Sequence, residues 1–312
     1  MESEKEPMKT ANKKLIVITA VIAAAVCIAA VAVIFAKGSS TENRLAEEFL
    51  DTDEMAAIAD AAVGDIVYFG SYEQDNDLEN GTEPVEWYVL DKTDGEATLL
   101  AVYLLDCQPY HEADENITWE NCDLRGWLND EFYNTAFSKE EQAVIVDAKV
   151  VNENNPFFDT KGGHNTTDKV WLLSLGEIEK YFYIDRNVFE DRWNGNMSRE
   201  EYTIYCYGQD NRLCAMPTAY AIASGAWSYS EERAQSDLEE YGYDMSYAVG
   251  SGTWWLRSPG APSDGPWWMR PLGSHGSSHG NLVAQVPYGT VDYAGSVSGS
   301  DCGVRPVLKV AY

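Results

Sequence analysis

The chain has 312 residues, 45% of them hydrophobic, so a large buried core is available and wholesale disorder is excluded. Its formal charge of −29 argues against nucleic acid as a partner, because that affinity rests on Lys and Arg meeting phosphates. The same charge keeps the protein off anionic membrane surfaces and can collect divalent cations.

Residues 1–14 read as a short cytoplasmic tail. The next 22, "LIVITAVIAAAVCIAAVAVIFA" (15–36), carry no charge. As a helix they reach about 33 Å, enough for a bilayer core of about 30 Å. Lys9, Lys13 and Lys14 precede this span, so the positive-inside rule puts the N-terminus in the cytoplasm and the rest outside the cell. A cleaved signal peptide is the alternative. Its apolar region is usually about 7–15 residues, and Ile34 does not suit a cut after Ala36, so an uncleaved transmembrane anchor is the expectation. Cys27 is read as membrane filler.

"STENRLAEEFLDTDEMAAIADAA" (40–62) is rich in Ala, Glu and Leu, and residues 37–62 are expected to form a helical stalk or linker. The exterior domain then occupies 63–312. Its first strands are expected in "VGDIVYFGSY" (63–72), "VEWYVLDK" (85–92) and "TLLAVYLLD" (98–106), separated by polar turns. "CDLRGWLNDEFYNTAF" (122–137) places Leu124, Trp127, Leu128 and Phe132 on one helical face, with Trp127 packing inward. Ser138 followed by Glu141 predicts a capping box. "KVWLLSLGEIEKYF" (169–182) passes from an apolar run to a helical one. Residues 185–212 read as a charged, irregular surface excursion, and "PTAYAIASGA" (217–226) as a small helix.

From residue 247 onward no helical period remains. Ala284, Val286, Gly289, Val291, Gly295 and Val297 alternate with polar and aromatic residues, which predicts short antiparallel strands with a wet face. The outward set carries the aromatic and hydrogen-bonding groups that recur in binding surfaces.

Seven phrases stand in order along the exterior chain: "GDIVYFGSY", "VEWYVLD", "CDLRGWLNDEFYNTAF", "DKVWLLS", "PTAYA", "WWLRSPG" and "GVRPVL". In this set the chain resembles a domain of unknown function common in surface proteins of Gram-positive gut bacteria. The closing Gly-Val-Arg strand is similar to the formylglycine-generating-enzyme-like branch of the C-type-lectin-like fold. The resemblance implies an α+β, C-type-lectin-like exterior domain of short antiparallel strands and two or more helices. It also implies that residues 261–301, between the two arginine-bearing phrases, form an exposed face. In some such folds this segment is genetically diversified. Trp254, Trp255, Arg257 and Arg305 are then scaffold, the arginines through buried pairs with carboxylates or carbonyls. Trp267 and Trp268 read either as packing or as display.

Signals for chemistry are sparse. The histidines are His111, His164, His275 and His279, and no Gly-x-Ser-x-Gly phrase marks a nucleophile. His275 and His279 have metal-binding spacing only on a helix, which "GSHGSSHG" does not favour. The exterior cysteines are Cys107, Cys122, Cys206, Cys214 and Cys302, an odd number, without Cys-x-x-Cys. Cys107 with Cys122, and Cys206 with Cys214, are near enough in sequence to bridge. Asp75, Asp77, Glu79 and Glu86 fall at positions 1, 3, 5 and 12 of a calcium loop, but Asn80 replaces the needed Gly and strands flank it, so a solvated hairpin is the better reading. Calcium is therefore the one cofactor with any signal; none is expected. Asn116, Asn165 and Asn196 begin sequons that mark exposed loops.

The expected function is a single-pass, membrane-anchored extracellular domain that binds a protein or glycan without catalysis. Its expected ligand-binding residues are Trp268, Arg270, His275, His279, Asn281, Gln285, Tyr288, Asp292 and Tyr293. The alternatives are an envelope enzyme of the formylglycine-generating-enzyme-like class and a structural or sensory ectodomain.

Overall fold

Alternation of apolar and polar residues drives the first sheet. In β1 (Ile66–Tyr72) Val67, Phe69 and Tyr72 are buried while Ile66 and Tyr68 face out; in β2 (Glu83–Thr93) Val85, Trp87 and Val89 point inward. A computed structural model describes this arrangement for residues 54–312, except 199–200, 203–204, 207–208, 243, 261–281 and 288–291. The expected cytoplasmic tail, the expected transmembrane anchor at 15–36 and most of the expected stalk lie outside the described residues. Among the described residues, no helix is long and apolar enough to cross a membrane.

The domain is mixed α+β. One five-stranded sheet runs β1-β2-β3-β12-β7, with β3 at Glu96–Ala101, β7 at Val170–Trp171 and β12 at Val307–Ala311. All its neighbouring pairs are antiparallel. β3 is central and buried along nearly its whole length, which explains its unbroken apolar run. The strand expected to continue to residue 106 stops at Ala101. Leu104 leaves the sheet to bridge Pro217, and the chain then joins a second sheet at β4 (Asp106–Cys107).

The second sheet runs β10-β9-β8-β11-β4, with β8 at Thr253–Pro259, β9 at Leu282–Pro287, β10 at Asp292–Ser296 and β11 at Gly303–Val304. Its β8–β11 pair is parallel and the others are antiparallel. A two-stranded ladder joins β5 (Ala148–Val150) to β6 (Thr166–Asp168).

A helical segment at 54–60 precedes β1, and its Ile58 is fully buried. Lys92 Nζ donates to the carbonyls of Ile58, Ala59 and Ala61 at 2.6–2.9 Å, satisfying the acceptors at that helix end with a cation.

The amphipathic helix expected at 122–137 spans Asp123–Ala136 with Leu124, Leu128 and Phe132 buried and Trp127 half-buried against Phe132. Its middle, Leu128–Phe132, is a π-helical turn. That wider turn accompanies a second task for Asn129. Its amide donates to the carbonyl of Val170, and its oxygen accepts from the Lys169 and Val170 N–H groups, fastening the helix to β7. At the helix end, Gly70 fills a contact that no other residue could. Its φ is +69°, and a Cβ there would stand 2.6 Å from the Phe137 ring.

The Ser138–Glu141 capping box forms as expected at the start of Lys139–Val144, and Ser174–Glu177 forms another at Leu175–Phe182. The reading of 185–212 needs correction. It holds a helix, Arg186–Trp193, and leads into a 3-10 turn, Asn211–Leu213, and it buries Tyr202 and Cys206 in the main core. Apolar residues spaced widely among charges conceal that burial in the sequence. A helix at Glu231–Tyr241, capped by Ser230, also escaped the sequence reading, because charged residues dominate it.

Candidate functional site

The segment 261–301 is entered from β8. Trp254, Trp255, Leu256, Arg257 and Ser258 in that strand are all buried, so both of its faces are covered. The indole of Trp254 donates to the Leu213 carbonyl at 3.2 Å and that of Trp255 to the Gln108 carbonyl at 2.9 Å. Each ring thus keeps its one polar group satisfied inside the core.

Arg257 is 4% exposed and gathers three separate elements. Its guanidinium donates to the Leu172 carbonyl just after β7 at 2.6 Å, and to the Val151 carbonyl just after β5 at 3.0 Å. It reaches Asn152 Oδ1 at 3.3 Å and pairs with the Glu177 carboxylate. That same carboxylate accepts from Ser174 N–H in the capping box, so the arginine also holds a helix start.

Arg305 is fully buried between β11 and β12. It donates to the carbonyls of Ala101 at 2.9 Å, Arg212 at 2.7 Å and Val102 at 3.4 Å, and lies 4.8 Å over the Trp254 ring. Carbonyl dipoles and an aromatic face stand where a carboxylate was also considered. Burial, the main cause, pushes its guanidinium down to about 9, which still leaves it charged at neutral pH.

The exit from β8 is tied as well. Asn155 donates to the Pro259 carbonyl at 2.8 Å and Thr160 to the Gly260 carbonyl at 2.7 Å, while Ser258 Oγ accepts from Leu175 N–H. The chain returns as β9, with Val286 opposite Trp254 and Gln285 opposite Trp255. β10 follows as the outer strand, with Asp292 opposite Gln285 and an irregularity before Gly295. The segment closes at Val297, which is fully buried, and at Cys302, which is 1% exposed. Gly303 then pairs with Trp254 on one side and Cys107 on the other.

Of the expected ligand-binding residues, Gln285, Asp292 and Tyr293 are placed by the backbones of β9 and β10. Trp268, Arg270, His275, His279, Asn281 and Tyr288 lie outside the described residues. The scaffold residues Trp254, Trp255, Arg257 and Arg305 are brought together around β8 and β11, and Trp127 packs elsewhere, beside Phe132.

Four of the described thiols are poorly suited to act as nucleophiles. Burial pushes the thiols of Cys107 and Cys122 up to about 12 and that of Cys214 up to about 11, and raises Cys302 well above its ordinary value. A reactive cysteine needs the opposite shift. Cys107, Cys122 and Cys302 are free thiols, so the bridge considered between Cys107 and Cys122 is not made. His111 sits 2.6 Å from Asp123 and 3.3 Å from Glu115, and His164 sits 2.9 Å from Glu120, so both described histidines are engaged by carboxylates.

A shallow cleft beside β2 presents Tyr181, Tyr183, Lys180 and Arg212. Its cations are already committed, Lys180 to Asp91 and Arg212 to Asp210. Tyr183, 75% exposed with φ of +57°, ends the helix Leu175–Phe182 in the left-handed conformation usual for that position. The sequence reading missed this cleft, since "YFYIDR" looks like an ordinary helix end.

A family model described as a domain of unknown function, DUF6273, matches residues 94–312. The chain belongs to the DUF6273 family. The family match takes in both buried arginines and the whole of 261–301. It begins only at Asp94, although β1 and β2 belong to the same sheet as β3. No curated protein and no solved structure matches the chain.

Proposed function

We propose that this DUF6273 protein is a membrane-anchored, extracellular binding protein, with residues 15–36 as its anchor and 261–301 as a non-catalytic surface for a protein or glycan. One observation carries the reading: the segment is bracketed by two buried arginine hubs, at Arg257 and Arg305, with its entry tied through Pro259 and Gly260. A frame anchored so independently of the residues between can tolerate changes in them. The content of the segment, Trp268, Arg270, Tyr288 and Tyr293 among small polar residues, has the composition of interface hot spots. A kinship with the C-type-lectin-like fold would fit the same division into scaffold and display. The raised thiols favour this reading over an envelope enzyme with a reactive cysteine.

A scanning library of 261–301, sorted separately for display and for capture of a glycan and protein panel, tests the idea. Substitutions at Trp268, Arg270, His275, His279, Asn281, Gln285, Tyr288, Asp292 and Tyr293 should leave display intact, within about 0.5 kcal/mol of stability. Loss of Trp268, Arg270, Tyr288 or Tyr293 should cost capture more than about 1 kcal/mol each. If these positions proved as intolerant for display as Val297, the segment would be core and the reading would fail. Topology has its own check. Protease applied to intact cells should release the domain by cutting within 38–53 while leaving the N-terminus protected. Recovery of an uncut chain from intact cells, but not from lysed ones, would place the domain inside.

A further inference from the structure

The connection between β1 and β2 draws three acids together from opposite ends of a hairpin. Glu73 directly follows β1, Asp75 opens the loop and Glu83 begins β2. One carboxylate oxygen of each lies within 4.8 Å of the others. Asp75 is exposed and Glu83 half-buried, but Glu73 is only 9% exposed. Its Oε1 is buried without a hydrogen-bond partner among the described residues. No Lys or Arg occurs between Glu73 and Asp91. A buried carboxylate oxygen without a partner, on a side chain clustered with two further acids, is costly unless a proton or a cation joins it.

The surroundings orient the acids without neutralising them. Gln74 N–H donates to Glu83 Oε2 at 2.8 Å, Asp77 N–H to Asp75 Oδ1 at 2.8 Å, and Asn80 Nδ2 to Asp75 Oδ2 at 2.8 Å. Each of these oxygens keeps a lone pair for another partner. The Asn80 amide, with the Asp77 N–H, holds Asp75 below the usual carboxylate range. Burial pushes Glu73 above it, against the opposing hydrogen bond of the Asn76 N–H and with the charges of Glu83 and Asp75 adding to the rise. The loop's own hydrogen bonds thus use Asp75 as a turn-former, not as the first ligand of the linear calcium pattern. Glu86, the last residue of that pattern, instead accepts from Tyr68 on the sheet.

We propose that Glu73, Asp75 and Glu83 form a calcium site that clasps the β1–β2 connection. An all-oxygen, carboxylate-rich set selects a hard cation. Calcium takes about six to eight oxygens in flexible geometry and so accepts three carboxylates from a hairpin loop, whereas magnesium demands a near-octahedral set. Water would complete the shell. The site lies outside residues 94–312, which the DUF6273 model matches. It would also stiffen a junction, because the Gln74 carbonyl beside it accepts from Tyr220 N–H in the helix Ala219–Ala223.

The test uses the full chain, stripped with a chelator and titrated with CaCl2, with MgCl2 as comparison. Calorimetry should find one saturable calcium site and weaker magnesium binding, and calcium should raise the melting temperature. Asp75→Asn and Glu83→Gln should each weaken calcium binding at least about tenfold, by removing one charged ligand. Glu79→Gln on the same loop should bind as the parent does. Glu73→Gln should lose binding while raising the calcium-free melting temperature, since it removes the buried charge. Absence of saturable uptake at millimolar calcium would overturn the site. So would uptake unchanged in both Asp75→Asn and Glu83→Gln, and equal affinity for magnesium would overturn the calcium assignment. A calcium-insensitive chain stabilised by Glu73→Gln would show a shared proton in place of the metal.

Discussion

Replacing Arg305 with Ala should destabilise the domain by about 3–5 kcal/mol, the cost seen when one member of a buried polar set is removed. The guanidinium is fully buried, so the substitution strips the Ala101, Arg212 and Val102 carbonyls of their donor in a place water does not easily reach. It also opens a cavity beneath the Trp254 ring. Arg257→Ala should cost as much for a different reason. It leaves the Glu177 carboxylate without its cation and parts the ends of β5 and β7 from β8. Arg257→Lys should recover only a fraction, because one ammonium cannot span acceptors contributed by three elements. Urea titration followed by tryptophan fluorescence reads all three variants. Unchanged midpoints would show both arginines to be accessible, and would move them from the frame of 261–301 into its binding face.

A comparable loss is expected for Asp168→Ala. The Asp168 carboxylate, whose side chain has no exposure, accepts from Arg125 Nε at 2.7 Å, from the Trp119 indole at 2.9 Å and from Thr166 Oγ1 at 2.7 Å. Removing it takes the carboxylate from the Arg125 guanidinium, which keeps only the Glu120 carbonyl, and leaves the buried Trp119 indole N–H without its acceptor, at about 3–5 kcal/mol. Asp168→Asn keeps the volume but directs an amide donor at groups that are themselves donors, so it should recover little of that loss. Thermal melts of the three chains decide it. An Asn variant as stable as the parent would mean that shape, not charge, holds this junction.

Local structure was legible because its signals are local. Alternation in "VYFGSY" exposed β1, and the spacing of Leu124, Leu128 and Phe132 exposed a helical face, because side chains two or four residues apart share a side by geometry alone. Ser138 and Glu141 announced a helix start in four residues. Even the burial of Trp254, Trp255, Arg257 and Arg305 could be read, since arginines set in apolar strand phrases have few other places to go. The partners of those arginines could not. Arg305 meets a carbonyl 204 residues away and Arg257 one 106 residues away, and no short pattern encodes which backbone will lie there. The π-helical turn was hidden for the same reason, as Asn129 is drawn to β7 only after both are in place. The acidic cluster illustrates the limit best. A linear calcium pattern pointed to Asp75, Asp77, Glu79 and Glu86, whereas the hairpin brings Glu73 and Glu83 to Asp75. What this sequence determined by itself was which residues go inside and which segments wind or extend. Which charges meet was decided only when the sheets closed, because buried electrostatics depend on distances that chain order does not set.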